Sequence, residues 1–247
     1  MEKEEYRKHF ELEDEHWWFA GRRVIVLQTL ASLNFPPDPI RLLDAGCGTG
    51  FNLKILAERG AAFGFDLHRE AVAFCRKRGL KSVALADAQA MPFREGSFDA
   101  VLFLDVLYHR DIASDLEALK NARRVLKSGG HLVLTDSAFR LLWSRHDLAV
   151  HARERYTRRT LRRRVEESGY RVTAASYFQF FLFFPVLFLR FLERLRSGKN
   201  RVPVSDLKSV NRTLNKILFW VFRTEAKLLR YIRFPFGSSL LIVARKI

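Results

Sequence analysis

The chain has 247 residues, 48% of them hydrophobic, enough for one α/β domain with an extension and a real core. Two cysteines, Cys47 and Cys75, are too few for a disulfide framework and have no zinc-site spacing, which excludes a disulfide-stapled secreted module and points to a reducing cytoplasm. The net charge of +16 is one-sided: residues 1–136 carry 19 Lys+Arg against 20 Asp+Glu, and residues 137–247 carry 24 against 7, so the basic half asks for an anionic partner.

The acidic start Met1-Glu2-Lys3-Glu4-Glu5 leads into no apolar run, so no signal peptide is expected. Helices fill residues 1–39, where His16-Trp17-Trp18-Phe19 precedes Gly21-Arg22-Arg23. Adjacent tryptophans do not share a helical face, so one is expected to pack inward and the other to line a pocket. From residue 40 short apolar strands alternate with helices, the pattern of a doubly wound parallel sheet. Strands are expected at 41–44, 62–66, 82–86, 98–104 and 130–136, with helices at 52–58, 69–78 and 113–125. The glycines of Lys127-Ser128-Gly129-Gly130 are expected to cap the last of these helices. A helix at 160–167 and a strand at 170–176 follow, and a final strand covers 238–245. The core therefore reads as 40–176 plus 237–247, with residues 177–236 inserted before the last strand.

The turn Asp44-Ala45-Gly46-Cys47-Gly48-Thr49-Gly50 joins a strand to a helix, and its glycines let a ligand approach bare backbone. A nicotinamide fingerprint needs a third glycine where Phe51 stands. Asp44 also sits badly beside a pyrophosphate and suits a ligand with a positively charged amino group. Asp66 closes the second strand, where a carboxylate can accept both ribose hydroxyls of an adenosine. Asp87 ends the third strand, where an adenine amino group needs an acceptor.

With these ordered signals, residues 40–136 resemble the class I S-adenosylmethionine-dependent methyltransferases, especially the small-molecule type of quinone biosynthesis. The resemblance implies a Rossmann-like, doubly wound seven-stranded sheet with an α-helical insertion, and S-adenosylmethionine as cofactor. It also implies that the N-terminal helices act as a lid. Asp44 would accept the methionine amino group, with Ala45, Gly46, Gly48 and Gly50 around the methionine moiety. Asp66 and Leu67 would meet the ribose, Asp87 and Ala88 the adenine, and the residues around Phe103–Asp105, Leu104 among them, would lie beneath the sulfonium. No metal is implied. Candidate catalytic residues are His109, just past the fourth strand, and His146 and His151, which with Asp147 follow the fifth; helix capping by Asp147 and pocket shaping by the histidines are the plainer readings.

The insertion holds 11 of the 22 phenylalanines and 12 Lys+Arg against 3 Asp+Glu. Its longest apolar run, 180–189, is half the roughly 20 residues a membrane-spanning helix needs. Two helices are expected, at 180–196 and 207–233, joined by Ser197-Gly198-Lys199-Asn200-Arg201-Val202-Pro203. On a helical wheel Leu207, Val210, Leu214, Ile217, Leu218, Val221, Leu228, Leu229 and Ile232 share one sector and seven Lys/Arg lie opposite. The helix either packs that sector on its own domain or docks on an anionic membrane surface, which would suit a small-molecule or lipid-linked acceptor. Nucleic acid fits less well: the fourth strand leads to Asp105-Val106-Leu107-Tyr108, without the Asn/Asp-Pro-Pro-aromatic stretch of base-amine methyltransferases. A donor-binding partner protein without turnover is the remaining alternative.

Overall fold

A computed structural model describes residues 3–36, 39–196 and 203–247. Most of the linker expected between the two insertion helices, 197–202, lies outside these described residues.

Helices α1 (Lys3–Leu12) and α2 (Trp17–Ala31) precede β1 (Arg41–Ala45). Then follow α3 (Phe51–Leu56), β2 (Ala61–Asp66), α4 (Arg69–Lys77), β3 (Val83–Leu85), β4 (Phe98–Leu104), α5 (Asp115–Val125) and β5 (Leu126–Ser137). A single 3-10 turn (Arg140–Leu142), α6 (Arg145–Ala149), α7 (Arg158–Glu167), β6 (Tyr170–Phe178), α8 (Phe183–Arg196), α9 (Arg212–Leu228) and β7 (Ser239–Lys246) complete the chain.

The strands form a seven-stranded sheet in the order β3-β2-β1-β4-β5-β7-β6, with β7 antiparallel to both neighbours and the other pairs parallel. β4 is buried at every residue, as a central strand covered on both faces must be. The strand order reverses between β1 and β4, so a crevice opens outside their carboxyl ends, where doubly wound sheets bind ligands. Asp44 and Gly46, at the end of β1, stand at that crevice.

Local chemistry moves several expected boundaries. α5 starts at Asp115 because the Ser114 hydroxyl accepts the Glu117 N–H at 3.3 Å, an N-cap. The turn at 127–130 does not cap α5. The helix ends at Val125, Leu126 is already extended, and it pairs with Phe98 at the start of β5. Lys246 Nζ donates to the Leu126 carbonyl at 2.7 Å and Arg245 Nε to that of Gly129 at 3.0 Å, so the neighbouring strand claims this segment.

The second insertion helix is shorter than expected. Asn211 caps α9 by accepting the Leu214 N–H at 2.8 Å, which leaves residues 203–210 outside the helix. Its buried face is also rotated from the expected sector. Phe222, Glu225, Ala226 and Leu229 point inward, whereas Leu214, Ile217 and Trp220 are 45%, 54% and 67% exposed. The partner helix decides this rotation: a Cβ on Gly21 of α2 would overlap the Phe222 ring, so the ring sits where only glycine leaves room. Asn215 completes the joint, accepting the Trp17 N–H and donating to the Glu15 carbonyl, each at 2.8 Å. The insertion thus packs on the N-terminal helices and on Phe178 at the end of β6.

Candidate active site

A cavity of about 360 Å³ lies over the carboxyl ends of β1, β2 and β4, roofed by α1 and α2 and walled on one side by α8 and residues 206–207. Its floor is the glycine turn. Gly48 has φ +54° and faces open space, so a side chain there would occupy the volume a ligand needs. Asp66 shapes the turn, accepting the Gly48 N–H and the His68 N–H, each at 3.0 Å. Each carboxylate oxygen keeps a lone pair for a hydroxyl. Asp87 accepts the Gln89 N–H at 2.8 Å, which fixes it at the far end of the same floor.

Asp44 is the most strongly perturbed group beneath this floor. It is 1% exposed, and neither carboxylate oxygen has a hydrogen-bond partner. Burial raises its pKa to about 7 despite the field of Arg22. An unpaired buried carboxylate is costly, and a cationic donor reaching it would remove the penalty. The residues therefore fit a ligand that brings an ammonium group to the turn and an adenosine to Asp66 and Asp87.

The N-terminal helices are pinned to this floor by buried ion pairs. Glu13, between α1 and α2, accepts from the Thr49 hydroxyl and from Arg78 at 2.5 Å, while Arg78 Nε donates to the Thr49 carbonyl at 2.9 Å. Arg22 of α2 pairs with Asp105 just past β4 and lies under the Trp18 ring, with its guanidinium carbon 4.6 Å from the ring centroid. Burial lowers the Arg22 pKa to about 10. Asp105 has φ +61°, a left-handed backbone that aspartate tolerates better than most residues.

Two polar groups flank the cavity. On the Asp66 side Asp111 accepts from His68 Nε2 at 2.9 Å and lies 3.2 Å from His109 Nδ1. Burial lowers the His109 pKa to about 4, so the ring is neutral at pH 7. At the opposite side Arg155 Nε donates to Asp147 at 2.7 Å, and Asp147 closes a capping box with Ser144 on α6. His146 Nδ1 accepts the Asp206 N–H at 3.2 Å, so its neutral ring carries the proton on Nε2; burial lowers its pKa as well. His146 can then donate to an acceptor oxygen.

Residues 43–134 match a family model described as a methyltransferase domain. Over these residues, a little over a third of its length, the chain carries a methyltransferase domain. The chain is 39% identical over 107 residues to a fatty-acid O-methyltransferase of Mycolicibacterium smegmatis, a match covering 39% of this chain and 37% of that one. It is 33% identical over 108 residues to a tRNA (carboxymethyluridine(34)-5-O)-methyltransferase of Arabidopsis thaliana, covering 42% and 26%. The matches thus span about a third of these relatives' own length. Among solved structures, a geranyl diphosphate methyltransferase with S-adenosylmethionine superposes with TM-score 0.60 at 16% identity, covering 92% of this chain and 85% of the other. A Thermotoga maritima methyltransferase, described as a possible histamine N-methyltransferase, gives 0.59 at 17% identity over 99% and 96%. At such identities the likeness is one of fold.

Of the positions singled out from sequence, Gly46, Gly48, Asp66, Leu67, Asp87, Ala88 and Leu104 line the cavity, as do His109 and His146. Asp44 and Ala45 are buried beneath it, Gly50 starts α3 behind the turn, and His151 stands outside the lining with its ring 6.0 Å from that of His109. Both Trp17 and Trp18 line the cavity, where one was expected to pack inward instead, and Phe19 takes the buried position. Sequence reasoning missed Glu13, Thr49, Arg22 and Arg78, and the pairing of Asp105 with Arg22, because these contacts form across long separations; Arg22 in a tryptophan-rich helix was the one visible signal.

Proposed function

We propose that the protein transfers a methyl group from S-adenosylmethionine to a small-molecule or lipid-like acceptor while docked on an anionic membrane surface. The observation that carries the donor half is the unpaired, buried carboxylate of Asp44 beside the open floor at Gly48. Bound there, the donor supplies a methyl group already activated on a sulfonium. The protein then has to orient two reactants and exclude water. Asp44 holds the ammonium end, Asp66 and Asp87 the adenosine, and the α1–α2 lid with its Glu13 and Arg22 anchors closes the site. His146, with its proton on Nε2, borders the side away from Asp66 and His109, where it would donate to an acceptor oxygen.

Membrane docking is supported by the outer surface of the insertion. α9 exposes Leu214, Ile217 and Trp220 next to Lys216, Arg223 and Lys227, which are exposed too. An apolar stripe bordered by cations complements a bilayer with anionic headgroups, and the aromatic side chains suit its interface. Among the described residues no helix is long and apolar enough to cross a membrane.

Isothermal titration with S-adenosylmethionine, followed by transfer of labelled methyl to lipid extract, metabolite extract and tRNA, tests the reading. Micromolar donor binding and label in the lipid or metabolite fraction are expected. Label in tRNA alone would replace the acceptor assignment with RNA, and binding without turnover on any fraction would favour a non-catalytic partner role.

A further inference from the structure

Helix α8 has two opposed faces, and they look onto two different environments. Phe183, Val186 and Arg190 follow one another at helical spacing; Val186 and Arg190 line the cavity and Phe183 is buried. Phe184, Phe188, Phe191 and Leu195 occupy the other side of the same helix and are 62%, 61%, 56% and 67% exposed. One helix, about 10 Å thick, therefore separates the cavity from a strongly apolar outer surface. A soluble helix of this length would carry polar residues on that side.

The seam beside α8 is closed by polar contacts rather than by packed core. Arg190 pairs with both carboxylate oxygens of Asp206, one of them at 3.1 Å, and also with Glu193 at 3.0 Å. The Asp206 backbone hangs on His146, and Val204 N–H donates to the Arg145 carbonyl at 3.2 Å. Leu207, next to Asp206, lines the cavity, as Val186 of α8 does. An apolar surface, a polar clasp and an apolar inner wall lie in sequence from outside to inside.

We propose that the acceptor is a long-chain amphiphile that enters the cavity from the bilayer through the seam between α8 and residues 203–207, its chain held between Val186 and Leu207 while its head reaches the donor. This rests on the methyltransferase and membrane reading above and adds the acceptor's class and route. The Arg190–Asp206 clasp opens to admit the chain and afterwards keeps water from the site. Because the chain remains partly in an apolar environment along this route, the acceptor need not pass through water.

The test uses the full-length protein saturated with S-adenosylhomocysteine. Palmitate, hexadecyl phosphate and hexadecanol, each beside its four-carbon counterpart, are titrated while fluorescence of Trp17 and Trp18 at the cavity is followed. Saturable one-to-one binding of at least one sixteen-carbon probe, at least tenfold tighter than its short counterpart, is expected, and the preferred head identifies the polar group. Val186→Trp should weaken that binding at least tenfold with S-adenosylhomocysteine affinity unchanged, and Val186→Ala should retain it. Leu207→Trp repeats the test from the other side of the seam, independently of α8. Equal affinity for long and short probes, no binding of any, or indifference to both tryptophan substitutions overturns the inference alone. Failure to bind S-adenosylhomocysteine overturns the methyltransferase reading itself.

Discussion

Asp44 gives the residue-scale chemistry its sign. In the ligand-free protein its pKa is raised from 3.8 to about 7, so between these values the native state holds a proton that the unfolded chain has lost. Native stability therefore declines as pH rises through that window. A ligand whose ammonium meets the ionised carboxylate does the reverse: it must displace the proton below pH 7. Donor affinity is thus expected to rise about tenfold per pH unit up to 7 and to level off above 8. Titration calorimetry in buffers of different ionisation enthalpy would show the released proton at pH 6 and its disappearance at pH 8. Asp44→Asn should abolish this dependence and weaken binding roughly 10- to 100-fold at pH 8, the loss of a charge-assisted contact. A pH-independent wild-type affinity would count against the carboxylate's role. The turn and its three carboxylates were legible as residues, since each stands at a strand end that the alternating pattern locates. The ion pairs Glu13–Arg78 and Arg22–Asp105 were not, because nothing local records a partner 65 or 83 positions away.

At the scale of elements, α9 shows how an amphipathic pattern fixes a helix without fixing its rotation. Its apolar residues outnumber the places available inside, and the groove at Gly21 selects Phe222 for burial. Phe222→Ala should cost about 3–5 kcal/mol, as emptying a packed aromatic site does. Leu214→Ser, at a position 45% exposed, should change stability by less than about 0.5 kcal/mol. Urea denaturation of both variants checks the pair; similar losses would mean that Leu214 packs inward. The same joint ties the N-terminal helices to the insertion, since Asn215 and Phe222 both hold the start of α2. Removing the insertion would therefore also remove core side chains such as Phe178 and Phe222, and point substitutions are the sounder probes of its outer face.

For the whole molecule, about half of the basic excess of residues 137–247, 12 Lys+Arg against 3 Asp+Glu, lies on the insertion that also carries the exposed apolar stripe, which turns net charge into a directional property. Near an anionic surface each Lys or Arg contributes about 1 kcal/mol, so a charge-neutralising Lys216→Gln, Arg223→Gln, Lys227→Gln triple variant should bind roughly 100-fold more weakly. Co-sedimentation with vesicles containing phosphatidylserine measures this, and wild-type binding should also fall as salt increases. Trp220→Ser should weaken binding without altering its salt dependence. Equal sedimentation with neutral vesicles would remove the electrostatic part of the reading.

The sequence by itself determined the doubly wound core, the glycine turn with its carboxylates and the place of the insertion, because periodicity, strand ends and charge are local properties of the chain. Tertiary structure alone decided which side of α8 and α9 faces inward, where the helices stop, and which distant side chains meet in buried pairs. Those outcomes depend on the shape of a partner surface, and a one-dimensional pattern holds no record of the space that Gly21 leaves for Phe222.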